Sequence, residues 1–129
     1  MLKSKKKYKD LIIKSTQVKK FCKLTKDRNP IHLNKKYLIK VSYNKLVAPA
    51  IFILAKINEI ISEKYKGAII IDIIGNFREP IFLNDKYKLY YKVNKINKSA
   101  NIFQLTSIIK KNSNKVLAKI NFIVPKILK

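Results

Sequence analysis

The stretch that decides the fold is Phe21-Cys-Lys-Leu-Thr-Lys-Asp-Arg-Asn-Pro-Ile-His32. It contains His32, the only histidine among the 129 residues, and it places the carboxylate of Asp27 five residues before that imidazole. Pro30 lies between them and prevents a helix from continuing through the segment, so we expect a loop. An aspartate and a histidine together can position one water molecule and take or give its proton. Histidine suits this chemistry because its charge changes near neutral pH.

The spacing alone leaves a second interpretation open. Asp27 and Asn29 are residue types that hydrogen-bond local backbone, and Pro30 ends helices. In that interpretation the segment is a helix-end turn with His32 on the surface. On spacing alone, the turn is the simpler of the two interpretations.

The first half of the chain predicts short elements. Residues 1–9 are polar and rich in lysine, and we expect a frayed N-terminus there. Asp10 to Lys14 is predicted to be a short first strand, and Thr16 is predicted to cap a short helix. Asn34 is predicted to cap another short helix that runs through Lys40.

The second half predicts one central helix and then a sheet. Pro49 favours the first position of a helix. From Ala50 to Ile61 that helix is apolar on nearly every face, which is typical of a buried helix. Four segments then show strand patterns; they are Ala68 to Phe77, Lys86 to Ile96, Asn101 to Lys110, and Lys115 to Val124. Helices followed by antiparallel strands predict an α+β fold with a sheet wrapped around the buried helix.

The quoted stretch resembles the hydratase motif of the MaoC-like, (R)-specific enoyl-CoA hydratases, which have a hot-dog fold. The matching residues are Phe21, Leu24, Thr25, Asp27, Asn29, Pro30, Ile31 and His32. The similarity continues through Tyr37, the predicted helix at Leu46 to Ile61, and Phe77, Pro80 and Asp85. It covers nearly the whole chain from Ser15 onward. The resemblance implies one hot-dog domain over residues 1–129, with an antiparallel sheet around a long central helix.

The resemblance also implies a reaction. In that family the aspartate and histidine activate the water that adds to C3 of a trans-2-enoyl thioester, and they deliver a proton to C2. Asp27 and His32 are the corresponding pair, and Asn29 and Asn58 are implied as supporting residues. No cofactor is implied, because coenzyme A or an acyl carrier protein is part of the substrate.

Three positions depart from the family pattern. The thioester oxygen gains negative charge in the transition state and needs hydrogen-bond donors. The family uses the backbone N–H of a glycine that follows a histidine at the start of the central helix. Here Pro49 and Ala50 occupy those positions, and Lys26 replaces the glycine before the aspartate. The replacement of histidine and glycine by Pro49 and Ala50 favours a first alternative function. In it the protein is a non-catalytic acyl-thioester-binding protein or an acyl-CoA thioesterase.

A second alternative function comes from the formal net charge of +23, since strongly basic chains often bind nucleic acid. Against it, the lysines are scattered, and only Arg28 and Arg78 supply the bidentate group that reads phosphates and bases. Lysine, isoleucine and asparagine also share A/T-rich codons, so genome composition accounts for much of the bias. The charge otherwise indicates an acidic partner, such as the phosphates of coenzyme A or an acidic carrier protein. Lysines together with Arg28 or Arg78 are the candidates for contacting those phosphates.

The remaining expectations concern metal, membrane and assembly. One histidine and one cysteine, Cys22, cannot complete a zinc site, and no apolar run approaches the ~20 residues of a membrane span. A single cysteine fits a reducing cytoplasm. A curved sheet leaves edges and an apolar face that a second copy can cover, so we expect a homodimer.

Overall fold

A five-stranded antiparallel sheet packs against one helix in the computed structural model, which describes residues 7–127. The elements in chain order are β1 (Lys7–Ile12), α1 (Ser15–Thr25), a short 3₁₀ helix (Pro30–His32), α2 (Lys35–Val41), α3 (Ala50–Lys64), β2 (Ile69–Phe77), β3 (Lys86–Asn97), β4 (Ile102–Lys111) and β5 (Ser113–Ile123). The order in the sheet is β1-β3-β4-β5-β2. β1 and β2 are therefore the two edges, and the three long C-terminal strands form the centre.

The inner face of the sheet forms one side of the core. On β3, which matches the predicted strand segment to within one residue, Tyr87, Leu89 and Tyr91 alternate inward. Inward residues of β4 and β5 complete this layer; they are Leu105, Ser107, Ile109, Val116, Ala118, Ile120 and Phe122. Each large apolar side chain buried here contributes about 1.5–3 kcal/mol.

Helix α3 forms the other side of the core through Ile53, Ile57, Ile60 and Ile61, each at most 2% exposed. These positions recur at helical spacing and define one face. The expectation of burial on nearly every face is wrong, because Ile51 is 66% exposed. The expected position of Pro49 also changes by one residue, since Pro49 is the N-cap and the helix begins at Ala50.

The N-terminal predictions need two corrections. Residues 7–9 are not frayed, because β1 pairs Lys7 to Lys9 with Tyr91 to Leu89, and this strand ends at Ile12 instead of Lys14. Residues 1–6 lie outside the described residues. Thr16 is not the cap of α1; Lys14 is, and its N–H donates to the Gln17 side chain at 3.1 Å.

The predicted cap of the second short helix is confirmed. Asn34 caps α2, with its side-chain oxygen accepting from the Lys36 N–H at 3.0 Å. The turn at Asn84 has a left-handed backbone with φ of 67°. Next to it, Asp85 accepts from Lys45 at 2.8 Å and from Lys111 at 3.3 Å, and the bond from Lys45 is the main reason why the pKa of this carboxyl is lowered.

Candidate active site

The loop that carries Asp27 starts where α1 ends. Lys26 has a left-handed backbone, with φ of 60°, and the Asp27 N–H donates back to the Cys22 carbonyl at 3.0 Å. This is the arrangement of a Schellman-type helix end, in which the left-handed residue is most often glycine. The turn therefore fixes the direction in which the chain leaves α1 and presents Asp27.

Asp27 and Asn29 organise the loop through local hydrogen bonds. The Asn29 N–H donates to Oδ1 of Asp27 at 3.0 Å, and Oδ1 of Asn29 accepts from the Ile31 N–H at 3.1 Å. The His32 N–H donates to the Asn29 carbonyl at 3.2 Å. The turn interpretation is thus correct for the backbone, and the same turn positions an aspartate and a histidine next to each other.

The imidazole of His32 has a defined orientation. Its Nδ1 lies 2.6 Å from the Val47 carbonyl oxygen. Because a carbonyl can only accept a hydrogen bond, Nδ1 carries the proton, and Nε2 of the neutral ring is left as an acceptor. Nε2 lies 3.9 Å from Oδ2 of Asp27, and the two side chains are 11% and 33% exposed.

That separation has a chemical consequence. A distance of 3.9 Å is too long for a direct hydrogen bond between Nε2 of His32 and Oδ2 of Asp27. It is short enough for a single oxygen atom to lie within hydrogen-bond reach of both groups. The geometry therefore suits two acceptors that hold one water or one hydroxyl group between them.

Val47 is itself held in place by two neighbouring segments. Its N–H donates to the Ile31 carbonyl at 3.0 Å, and the flanking residues bond to the chain before β3. There, the Ala48 N–H donates to the Ile81 carbonyl at 2.7 Å, and Val47 forms a bridge with Phe82. Sequence reasoning missed Val47, because a backbone carbonyl leaves no signal in the residue type.

A cavity of about 390 Å³ opens beside His32. Its lining brings together the histidine, the start of α3 and the end of β2; the lining residues are His32, Val47, Ala48, Ala50, Ile53, Phe77, Arg78, Glu79, Pro80 and Ile81. The structure therefore places two of the predicted site residues, His32 and Ala50, in one cavity. Asp27 adjoins that cavity through its contact with His32.

The N-terminus of α3 borders this cavity through Ala50. The Ile53 N–H makes the bond to the Pro49 carbonyl, at 3.1 Å, and the side chain of Pro49 caps none of the preceding N–H groups. The N–H groups in the first turn of a helix have no intrahelical partner and carry its partial positive charge. Ala50 lies at this end, so its N–H can serve a developing oxyanion.

Two charged residues line the same cavity but differ in their partners. Glu79 accepts from the Ser113 hydroxyl at 2.7 Å and from Lys115 at 3.1 Å, and these two contacts lower the pKa of its carboxyl. Arg78 forms no ion pair with a carboxylate of residues 7–127. Arg78 is therefore available to an anionic or carbonyl group of a ligand.

Asn58 is not brought together with the pair. It lies eight residues after Ala50 on α3, which is about 12 Å along the helix axis. It lines a separate cavity of about 290 Å³ together with Ser62 and Tyr65. Its Oδ1 is shielded from solvent and has no hydrogen-bond partner among residues 7–127.

Cys22 lies behind the loop as a buried free thiol. Burial raises the pKa of this thiol, and the nearby charge of Asp27 raises it further. A neutral, shielded thiol is a poor nucleophile, so this cysteine is part of the packing. Within residues 7–127, no three His, Cys, Asp or Glu side chains cluster as they would around a metal ion, and no helix has the length and apolar character needed to cross a bilayer.

Comparison with known proteins gives structural neighbours. No protein-family model and no curated protein sequence matches the chain. Among solved structures, an (R)-hydratase from A. caviae involved in PHA biosynthesis is 18% identical, with a TM-score of 0.85 over 97% of this chain and 98% of that one. R-hydratase PhaJ1 from Pseudomonas aeruginosa is 19% identical, with a TM-score of 0.83 over 98% and 84%.

A third neighbour is the C-terminally truncated HadBC complex, a (3R)-hydroxyacyl-ACP dehydratase from Mycobacterium tuberculosis. It is 16% identical, with a TM-score of 0.75 over 95% of this chain and 98% of that one. The chain thus has the α+β hot-dog fold of these hydratases and dehydratases, as the sequence predicts. At these identities the likeness concerns the fold, and the activity has to be argued from the site.

Proposed function

We propose that this protein is a hydro-lyase of the (R)-specific enoyl-thioester hydratase or 3-hydroxyacyl-thioester dehydratase type. The observation that carries the proposal is the 3.9 Å gap between Nε2 of His32 and Oδ2 of Asp27, beside a cavity that also receives the N-terminus of α3. The structural neighbours that are themselves hydratases and dehydratases support the same reaction class.

The chemistry follows from the atoms at the site. A water held between Nε2 of His32 and Oδ2 of Asp27 donates a hydrogen bond to each acceptor. As its oxygen bonds to C3 of a 2-enoyl thioester, one acceptor takes a proton, and the electrons of the C2–C3 double bond move onto the thioester oxygen. The Ala50 N–H and the positive end of α3 stabilise that oxyanion. Return of the abstracted proton to C2 completes the 3-hydroxyacyl product.

The substrate is proposed to be a thioester of coenzyme A or of an acyl carrier protein. The carrier of such a thioester is anionic, and the chain carries a formal charge of +23. Arg78 lines the cavity without a carboxylate partner in the described part of the chain, so it is the better placed of the two arginines to contact the bound substrate. We also propose a cytoplasmic location. The support is that Cys22 is a buried free thiol, which fits a reducing compartment.

A homodimer is proposed as the active form. The edge strand β2 exposes Ile69, Ile71, Ile73 and Ile74 by 42–65%, and Phe77, which lines the cavity, by 39%. A long apolar edge strand invites pairing with another chain. Two structural neighbours, the ChsH1-ChsH2 and HadBC proteins, are complexes of two kinds of chain. A second copy on β2 covers these isoleucines and adds a wall near the cavity.

Hydration of crotonyl-CoA tests the reaction, followed by loss of the enoyl-thioester absorbance. Asp27→Asn and His32→Ala are each expected to lower kcat by roughly 10²–10⁴-fold, which is the usual contribution of a general acid or base. Asp10→Asn is the matched control, because Asp10 is exposed on β1, at the opposite edge of the sheet from β2, and does not line the cavity. Turnover that is the same in wild type and both site variants contradicts the proposal.

A second candidate function is favoured by the methyl group of Ala50, which lines the cavity. A methyl group here, where the family has a glycine, crowds a thioester oxygen that approaches the N–H of Ala50, which favours binding of an acyl thioester without hydration. A parallel assay with a thiol reagent on butyryl-CoA distinguishes the candidates. Thiol release without hydration indicates a thioesterase, whereas saturable binding with neither reaction indicates a non-catalytic binder.

A further inference from the structure

The face of the sheet that points away from α3, called here the outer face, carries an ordered pattern of side chains. One row across four strands is apolar, because the register aligns Tyr8 with Tyr90, Tyr90 with Ile108, and Ile108 with Leu117. The rings of Tyr8 and Tyr90 contact each other with centroids 5.6 Å apart, and Tyr8 is 57% exposed. This apolar row is continuous from β1 to β5.

Lysines flank the apolar row on both sides. Lys88 and Lys110 are paired in the row above it. In the row below, Lys92 pairs with Thr106, which pairs with Lys119. None of these four ammonium groups forms an ion pair with a carboxylate in residues 7–127. The pattern is therefore an apolar stripe between two rows that carry lysines, and one carboxylate, that of Asp10 on the edge strand β1, lies opposite Lys88 in the register.

We propose that the outer face binds an acidic amphipathic helix of a partner protein. Strands lie about 4.8 Å apart, so a row across four strands is roughly 14 Å long. A helix rises 1.5 Å per residue, so about ten residues, or three turns, cover the row. A helix with an apolar stripe and acidic residues on both flanks matches the outer face in charge and in length.

Two other occupants fit less well. Single-stranded nucleic acid uses exposed aromatic ring faces for stacking. Here Lys88 lies over the Tyr8 ring at 4.9 Å and Lys110 over the Tyr90 ring at 5.3 Å, while Ile108 and Leu117 offer no ring. A second copy of this chain brings lysines onto lysines, and the chain has only seven acidic residues. The combination of aliphatic side chains and lysines favours an acidic protein helix.

The test uses a fluorescently labelled, 14-residue helical peptide as probe. Its leucines form one stripe, and glutamates flank that stripe. Binding to the full chain is followed by fluorescence anisotropy. Lys92→Glu/Lys119→Glu is expected to weaken binding at least tenfold, and Ile108→Thr/Leu117→Thr to a similar extent. Lys19→Glu/Lys20→Glu on α1 is the matched charge control and is expected to change Kd less than threefold.

Three results overturn the proposal. The first is equal weakening by both pairs of charge reversals, which indicates a response to net charge alone. The second is equal affinity for a peptide of the same composition whose leucines are distributed around the helix. The third is tighter binding of a 14-nucleotide oligouridylate that depends on Lys92 and Lys119. Thermal unfolding of each variant confirms that the fold is retained, and the outcome is independent of the hydration assay.

Discussion

At the scale of single residues, Lys26 carries a conformational cost that a substitution can remove. Its backbone is left-handed, with φ of 60° and ψ of 29°, at the end of α1. A left-handed conformation costs a residue with a Cβ roughly 1–2 kcal/mol, and glycine escapes that cost while losing more chain entropy on folding. Lys26→Gly is therefore expected to raise the free energy of unfolding by about 0.5–1 kcal/mol.

Urea unfolding of the Lys26 variant measures this gain. Lys20→Gly is the control, because Lys20 is an exposed residue in the middle of α1 and its replacement by glycine is expected to cost about 1 kcal/mol. Both substitutions remove one lysine charge. Changes of opposite sign in the free energy of unfolding therefore isolate the effect of the backbone conformation. Equal destabilisation by both contradicts the assignment of strain to Lys26.

Single residues also show what a sequence can and cannot predict about the site. The sequence could single out Asp27 and His32 as candidates because their side-chain chemistry follows from residue type, and the structure brings the two side chains within 3.9 Å of each other. Val47 orients the imidazole through its backbone carbonyl oxygen. Every residue has such a carbonyl, so the residue type could not predict this role. Thr16 was wrongly expected to cap α1. The first N–H of that helix, on Ser15, donates to Oδ1 of Asn84 at 3.2 Å, and the two residues are 69 positions apart in the sequence. The residues around Thr16 cannot indicate such a distant contact.

At the scale of elements, residue patterns predicted where the strands lie, but hydrophobicity did not predict which strand residues are buried. Tyr87, Leu89 and Tyr91 occupy every second position of β3 and face the core. Ile69, Ile71, Ile73 and Ile74 are apolar, yet they are 42–65% exposed because β2 is a sheet edge that pairs only with β5 within residues 7–127. Position in the sheet depends on the pairing of distant segments, which composition does not report.

The contact between α3 and β2 depends on the small size of Gly75. A Cβ built at this position lies 2.9 Å from the Phe77 ring and 3.4 Å from the Leu54 side chain. The ring must therefore move before alanine can fit, and overpacking of this kind typically costs 1–3 kcal/mol. Because Phe77 is partly exposed and can shift, Gly75→Ala is expected at the lower end, with a loss of about 1 kcal/mol.

A double-mutant cycle with Phe77→Leu tests whether the ring is the cause. Leucine removes the ring atoms that meet the new Cβ. Gly75→Ala/Phe77→Leu is therefore expected to be more stable than the sum of the single changes predicts, by at least 0.5 kcal/mol in chemical unfolding. Additive losses exclude a direct clash between the two positions. This cycle measures stability only, so it is independent of the reaction.

At the scale of the whole molecule, two features oppose each other in assembly. The isoleucines exposed on β2 favour association with a second copy. The formal charge of +23 on each chain repels it. Salt separates the two effects, because the Debye length falls from about 30 Å at 0.01 M to about 10 Å at 0.1 M ionic strength, while the burial of apolar surface is hardly weakened. The dimer is therefore expected to tighten as salt rises over this range.

Sedimentation across this salt range measures the monomer–dimer equilibrium. Ile71→Glu/Ile73→Glu is expected to keep the chain monomeric at every salt concentration, since it places carboxylates on the proposed interface. Ile39→Glu is the control, because Ile39 is 85% exposed on α2, away from β2. A dimer that loosens with salt is held mainly by ion pairs, and a wild-type chain that stays monomeric throughout rules out β2 as the interface. Phe77 belongs both to the exposed edge and to the lining of the His32 cavity. If Ile71→Glu/Ile73→Glu loses hydration activity and Ile39→Glu keeps it, the second copy completes the site.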